Sequence, residues 1–401
     1  MERHNYPGRY FPLEEYEDRW RKIAAEMQRR GYEIAVVWGQ TGGNYERAME
    51  VTWLTNYYSE YSGQDPDSRA WNARSYACAI IEPGQEPELH ADGSAYRADL
   101  VATERFHTHM DVVAGVVDAL RSRGINGNVA FVGSDCLPVK YADQLRDALP
   151  QISFRFDDDL LRACRLIKSP LELECYREGG QIVSDAMTQL CQSIIAGETA
   201  AEAVAKASGE IVRRGGMWHR IPLNFGDTAQ FVQRDPTYGY SQDAPKTGDM
   251  ARFAIDGPIH QGYWFDPCRS VVVGGKPSLP QRSLLEDAYS VVQLILDMIK
   301  PGMSVKLVAE KAQARQRAIA QDEDHAASMW PMNGHGNGMM YEPPFISTVA
   351  CDEKDIWEAG MVGGAECFTG RKGVGAVGWE QNFIVTDTGT EIITTTPVFW
   401  H

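Results

Sequence analysis

The chain has 401 residues, 43% hydrophobic and 23% charged, with 37 glycines and 20 prolines; this excludes a disordered or collagen-like protein and leaves room for two domains with a sizeable core. Lys and Arg total 39 against 55 Asp and Glu, a formal net charge of −16, which is the wrong sign for a nucleic-acid partner. No stretch reaches the ~18 apolar residues of a membrane span, Met1 to Pro7 lack a signal-peptide core, and the eight cysteines are dispersed with no C-x-x-C pair, so the expectation is a cytoplasmic protein with reduced thiols and no membrane.

Leu13 to Arg30 is charged and helical in period, and Glu33 to Trp38 follows as a short apolar run that predicts a buried strand. Ala77 to Ile81 predicts another, closed by the turn Glu82-Pro83-Gly84. Met110 to Arg123 has the period of an amphipathic helix, and Asn128 to Val132 that of the next strand. This alternation predicts an α/β domain. Ser169-Pro170 is a helix cap followed by proline at the first helical position, opening a long helical pattern from Leu171 to about Ala196. The division is expected near residues 160–168, giving domains 1–165 and 166–401. From Gly215 onward the chain is richer in Gly and aromatics and reads as strands linked by loops.

Three segments carry chemistry. Ala254 to Arg269 places Asp256 and Asp266 ten residues apart, each ending an apolar run with a Pro/Gly turn between, so a hairpin would return one beside the other. Asn333-Gly334-His335-Gly336-Asn337-Gly338 sets an imidazole among glycines, which suits close approach of backbone to a ligand. Gly360 to Phe368 and Gly378 to Val385 put Glu366 and Glu380 in apolar, strand-like surroundings. Taken singly, each also fits an ordinary role: a turn aspartate, a loop histidine, a solvent-facing glutamate. Together they give four carboxylates and one imidazole, a donor set for Mn, Fe, Co or Zn and not for a thiolate-type site. Two divalent ions would neutralise four carboxylates, and paired ions share chemistry at about 3.5–4 Å.

With these residues the chain resembles the creatinase/aminopeptidase P/prolidase/methionine aminopeptidase superfamily of pita-bread metallohydrolases. The resemblance covers Lys168-Ser169-Pro170, Gly248-Asp249 and the three segments above. It implies a creatinase-like N-terminal α/β domain, a C-terminal pita-bread catalytic domain and a homodimer acting on a small-molecule substrate. It also implies two divalent transition-metal ions held by Asp256, Asp266, His335, Glu366 and Glu380, with Glu366 shuttling a proton. The chain departs from the family's peptidases where they carry two further histidines: Tyr341-Glu342-Pro343-Pro344 stands at one place, Tyr238-Gly239-Tyr240 at the other. An ordinary Xaa-Pro peptidase is therefore not expected.

The aspartate spacing and the step from His335 to Tyr341 resemble the dimethylsulfoniopropionate lyase branch, but the carboxylate base of that branch is replaced here by Tyr341. Three readings follow: a dinuclear hydrolase of a small amide or peptide, a lyase with Tyr341 as base, and a metal-free creatinase-like or binding protein. Candidate substrate contacts are Tyr238, Tyr240, His219, Arg220 and Trp379; Arg269 is expected to orient a metal carboxylate. Trp53, Tyr57, Tyr58 and Tyr61 form an aromatic group that could serve the core or reach a partner's site.

Overall fold

The helix expected over Leu13 to Arg30 forms as α1 (Leu13–Arg30), stopped by Gly31 in the left-handed conformation at φ 77°. This is a computed structural model, and it describes residues 9–42, 45–59, 75–92, 97–229 and 238–400. The mixed α/β chain divides into two units, Met1–Arg165 and Leu166–His401. The first continues with β1 (Ala35–Gln40), α2 (Tyr45–Thr55), β2 (Tyr76–Ile81), β3 (Glu88–Ala91), β4 (Phe106–Thr108), α3 (Val112–Ser122), β5 (Gly127–Val132), α4 (Val139–Ala148), β6 (Ile152–Phe156) and α5 (Asp159–Arg165). Its strands form one sheet in the order β4-β3-β2-β1-β5-β6. Val36, Trp38, Cys78, Ile80, Val129 and Phe131 from the central strands bury against Val113, Val116, Val117 and Leu120 of α3. Trp53 and Tyr57 are buried, with the Arg19 guanidinium 5.0 Å from the Trp53 ring, and Tyr58 stacks on Tyr45. These residues serve the core; Tyr61 lies outside the described residues.

The second unit contains α6 (Pro170–Ile195), α7 (Ala200–Arg213), β7 (Leu223–Phe225), β8 (Met250–Ala254), β9 (Gly257–His260), β10 (Tyr263–Phe265), β11 (Cys268–Val272), α8 (Leu279–Met298), α9 (Val305–Ile319), α10 (Glu323–Ser328), β12 (Gly334–Asn337), β13 (Tyr341–Glu342), β14 (Val362–Arg371), β15 (Gly375–Val385) and β16 (Thr390–Ile392). Ser169 caps α6 through a full capping box with Glu172. The strands-and-loops reading beyond Gly215 is corrected by α8 and α9. Ser278 caps α8 with Gln281, and Ser304 caps α9, so a capping signal was present amid the Gly-rich surroundings.

Those two helices close the back of the five-stranded sheet β13-β12-β14-β15-β16. Leu285, Val292 and Ile295 of α8 and Val308 and Ala312 of α9 share a core with Ala365, Cys367, Val377, Trp379 and Phe383. Because successive strand side chains alternate in direction, the odd-numbered residues fill this core. The even-numbered Glu366 and Glu380 are thereby turned to the other face.

Lys168 and Glu342 form an ion pair at 2% and 4% side-chain exposure. Replacing Lys168 by Met would leave a buried carboxylate without its ammonium. The expected loss is about 3–5 kcal/mol in denaturant unfolding, partly recovered in the Lys168→Met/Glu342→Gln double variant.

Candidate metal centre

Two antiparallel ladders build the site. β14 and β15 pair with Glu366 directly opposite Glu380. β8 and β11 pair Ala254 with Cys268, and β9 and β10 pair Gly257 with Phe265, so the register between them sets Asp256 across from Asp266. β12 lies along β14 with His335 opposite Gly364. All five residues are nearly inaccessible, at 3–6% exposure, and line one cavity of about 520 Å³ with Arg220, Arg252, Trp330, Met332, Tyr341, Phe345 and Phe368 among its walls.

Ligand atoms of Asp266, His335 and Glu380 all lie within 4.8 Å of one another. His335 Nε2 is 3.1 Å from Asp266 Oδ2 and 3.7 Å from Glu380 Oε1. Its Nδ1 donates to Asn337 Oδ1 at 2.8 Å, so Nε2 is the nitrogen that faces Asp266 and that would take a metal ion in exchange for its proton. Asp266 Oδ1 accepts from Asn337 Nδ2 at 3.1 Å and from Asn382 Nδ2 at 2.6 Å. Glu380 Oε1 is buried with no hydrogen-bond partner among the described residues, an arrangement that costs free energy unless a cation or proton meets it. The donor set therefore fits a divalent ion at Asp266, His335 and Glu380. Gly364 keeps that space open: a Cβ there would lie 2.8 Å from Glu380 Oε1 and 3.2 Å from His335 Cε1.

Burial, reinforced by neighbouring carboxylates, raises Asp256, Glu366 and Glu380, whereas Asp266 and His335 are set by each other. Burial raises Asp256 to about 6, against the opposing Arg220, with Asp266 adding to the rise. Burial raises Glu366 to about 7 although His335 opposes it. Glu380 is pushed well above the usual carboxylate range by burial, Asp266 and Glu366. Burial would raise Asp266 too, but His335, Asn382 and Asn337 together hold it below its ordinary value. His335 rises to about 9: burial lowers it, and the adjoining Asp266 more than compensates.

The other expected site residues scatter. Arg220 is brought to the cavity by an antiparallel bridge to Asp256, and its Nε donates to Asp256 Oδ2 at 2.6 Å; it holds a carboxylate of the cluster. His219 is exposed, its ring 5.8 Å from that of Trp264. Tyr240 is half-buried, and its hydroxyl accepts from Ile221 N at 3.3 Å; Tyr238 is 92% exposed. Neither tyrosine lines the cavity. Trp379 is corrected outright: as an odd-numbered residue of β15 it lies in the core against Tyr289 and Trp400, on the face opposite Glu380. Arg269 stacks 4.0 Å from the Trp379 ring and donates to the backbone oxygen of Glu380 at 2.5 Å. It thus sets the strand and not a metal carboxylate. Tyr341 packs its ring 4.7 Å from His335; in the metal-free protein burial and then Asp266, Asp256 and Glu380 push its phenol well above the ordinary range, so that its hydroxyl is a hydrogen-bond donor there. Asn337 and Asn382 were missed, although each stands two residues from a candidate ligand on a strand, the spacing that shares a face.

A buried imidazole–carboxylate cluster on paired strands, with a cavity at its open side, has the donors and the space of a metal centre. Residues 174–387, more than half of the chain, match the sequence profile of metallopeptidase family M24, and the chain belongs to that family. Ectoine hydrolase of Halomonas elongata is 24% identical over 428 residues, covering 96% of this chain and 97% of that one. The probable dipeptidase PepE of Mycobacterium tuberculosis is 26% identical over 223 residues; the match covers 54% of this chain and spans 56% of that relative's length. The fold is shared with the prolidase from Pyrococcus horikoshii OT3, at a TM-score of 0.73 and 18% identity over 96% of this chain and 100% of that one. It is shared equally with the His243Ala variant of Escherichia coli aminopeptidase P, at 0.74 and 15% over 96% and 95%.

Two outcomes are expected. Gly364→Ala should displace the Glu380 carboxylate and weaken metal binding by about 10–100-fold, measured by titration of chelator-stripped protein. In chelator-treated protein the raised groups bind more protons folded than unfolded, so their stabilisation is present at low pH. It is lost as pH rises through about 6 for Asp256, 7 for Glu366 and 9 for His335. Thermal midpoints should therefore fall between pH 5.5 and 9, and saturating Mn or Zn should flatten the profile.

Proposed function

We propose that the chain is a metal-dependent hydrolase that cleaves a C–N bond in a small amide or peptide-like substrate. Two divalent transition ions are held by Asp256, Asp266, His335, Glu366 and Glu380. The observation that carries this reading is the Glu380 oxygen that has no hydrogen bond among the described residues, buried beside His335 and Asp266 in a chain of family M24. When bound, the ions supply Lewis acidity and a nucleophile at neutral pH.

The protein's own groups do the rest. Asn337 fixes the His335 tautomer, and with Asn382 it holds Asp266 ionised. Glu366, which lines the cavity beside the cluster, is placed to take a proton at its carboxylate and return it to the leaving nitrogen. The Tyr341 phenol donates to the substrate, and Trp330, Phe345 and Phe368 enclose it on the cavity side. The end-to-end likeness to a protein named as a hydrolase of ectoine supports a small substrate. Tyrosines in place of both peptidase histidines argue against an ordinary Xaa-Pro peptide. We place the enzyme in the cytoplasm, as a homodimer, on the family resemblance.

The test begins with metal content by elemental mass spectrometry, on protein purified without chelator or nickel affinity. About two transition ions per chain are expected, together with hydrolysis of a member of a panel of small amides and dipeptides. His335→Ala and Glu380→Gln should each lose metal and at least about a hundredfold in turnover, whereas Tyr341→Phe should keep its metal and lose kcat. Near-zero metal, with no activation by Mn, Fe, Co or Zn, would overturn the proposal.

A further inference from the structure

The N-terminal unit holds a second gathering of imidazoles. Of the chain's nine histidines, three meet at the β3–β4 edge of the six-stranded sheet. The parallel register sets His90 beside His107, and the two-residue step along the chain brings His109 back to the same face. Ring centroids lie 5.2 Å apart for His90 and His107, 5.0 Å for His90 and His109, and 6.4 Å for His107 and His109.

The hydrogen bonds define which nitrogens are donors. Glu88 Oε2 accepts from Arg105 Nη2 at 2.5 Å and Arg123 Nη2 at 2.6 Å, so this carboxylate is ionised and acts only as an acceptor. Its Oε1 lies 2.9 Å from His90 Nε2, which must therefore carry the proton. The lone pair of His90 is then on Nδ1, 2.9 Å from His109 Nε2. A carboxylate behind an imidazole whose other nitrogen faces a second imidazole is the arrangement that orients histidines on a metal. Two nitrogens bonded at about 2.0–2.1 Å to one tetrahedral ion stand about 3.3 Å apart, so the pair needs only a slight opening.

The surroundings are shaped for this pair. Gly115, in the interior of α3, faces the His109 ring so closely that a Cβ would lie 2.5 Å from it. A glycine inside a helix costs roughly 0.5–1 kcal/mol relative to alanine, and here it makes room for the imidazole. His107 is 51% exposed, with Nε2 3.9 Å from Glu88 Oε1, and its ring stacks on that of His90 at the open side of the pair. Of the charges that face the cluster, Arg105 and Arg123 are engaged by Glu88 and Glu82, while Asp111 and Asp118 act on His109 from the α3 side.

We propose that His90, His107 and His109 bind one imidazole-seeking divalent transition ion of the Zn class, a site separate from the M24 centre that ties the three-residue edge strand β4 to β3. Neutral imidazoles suit such ions better than Mg or Ca.

The test is calorimetric titration of Zn into full-length, chelator-stripped protein carrying His335→Ala and Glu380→Ala to silence the C-terminal centre. One Zn per chain should remain, and adding His107→Ala and His109→Ala should weaken it at least about tenfold. Cobalt in place of zinc should give a visible absorption band that disappears with the same histidines. His107→Gln, at an exposed position, is compared with the otherwise wild-type chain and should lower the zinc stoichiometry by one even if the silenced variant fails to fold. Binding unchanged by loss of His107 and His109, or no zinc retained outside the C-terminal centre, would reduce the cluster to a hydrogen-bonded packing group.

Discussion

The second unit depends on one constraint: two pairs of carboxylates are set face to face on antiparallel strands, Glu366 opposite Glu380 and Asp256 across from Asp266. Like charges directly opposite each other are destabilising even on an exposed sheet, and here all four are buried. Removing ionised groups from water costs several kcal/mol each unless opposite charge or hydrogen bonds compensate. The compensation visible in the fold is specific. Asp266 receives two asparagine amides and the His335 imidazole, Asp256 receives Arg220, and Glu380 retains an oxygen with no hydrogen-bond partner among the described residues. That uneven satisfaction makes the cluster a candidate cation site; a fully satisfied polar core would have no remaining affinity to offer.

The scaffold behind the cluster is stiff for reasons unrelated to chemistry. The odd-numbered side chains of β14 and β15 lock into α8 and α9, and this core prevents the ladder from slipping. A slip of one residue would send both glutamates into the core and the apolar face to the cavity. Arg269, wedged on Trp379 and bonded to the Glu380 backbone, fixes the strand at the residue that matters. Ligands carried on paired strands with such backing are held more closely than ligands on loops.

The two units use histidine differently. His335 stands alone among carboxylates, and its Nδ1–H is committed to an asparagine. His90, His107 and His109 stand among one another, with a single carboxylate behind His90. At His335 the adjoining Asp266 outweighs burial and favours the charged imidazole, whereas at His90 and His109 burial prevails and favours the neutral one. One chain thus presents an oxygen-rich donor set in one unit and a nitrogen-rich set in the other.

Read alone, the sequence was informative wherever the governing physics is local. The helix cap at Ser169 and short apolar runs such as Ala77 to Ile81 declare themselves within a few residues, because caps and periodicity are short-range. The order Asp256, Asp266, His335, Glu366, Glu380 was legible for the same reason, each residue marked by its own flanks. What only the tertiary structure decided is direction and partnership between residues distant in the chain. Trp379 and Glu380 are neighbours in sequence, yet packing against α8 sends one to the core and the other to the cavity. Arg220 reaches Asp256, and Asn382 reaches Asp266, across separations that no local pattern encodes. The meeting of His90 with His109 likewise follows from sheet register and from the space left at Gly115. Hydrogen bonds and burial act through space, so these contacts exist only once the strands are paired.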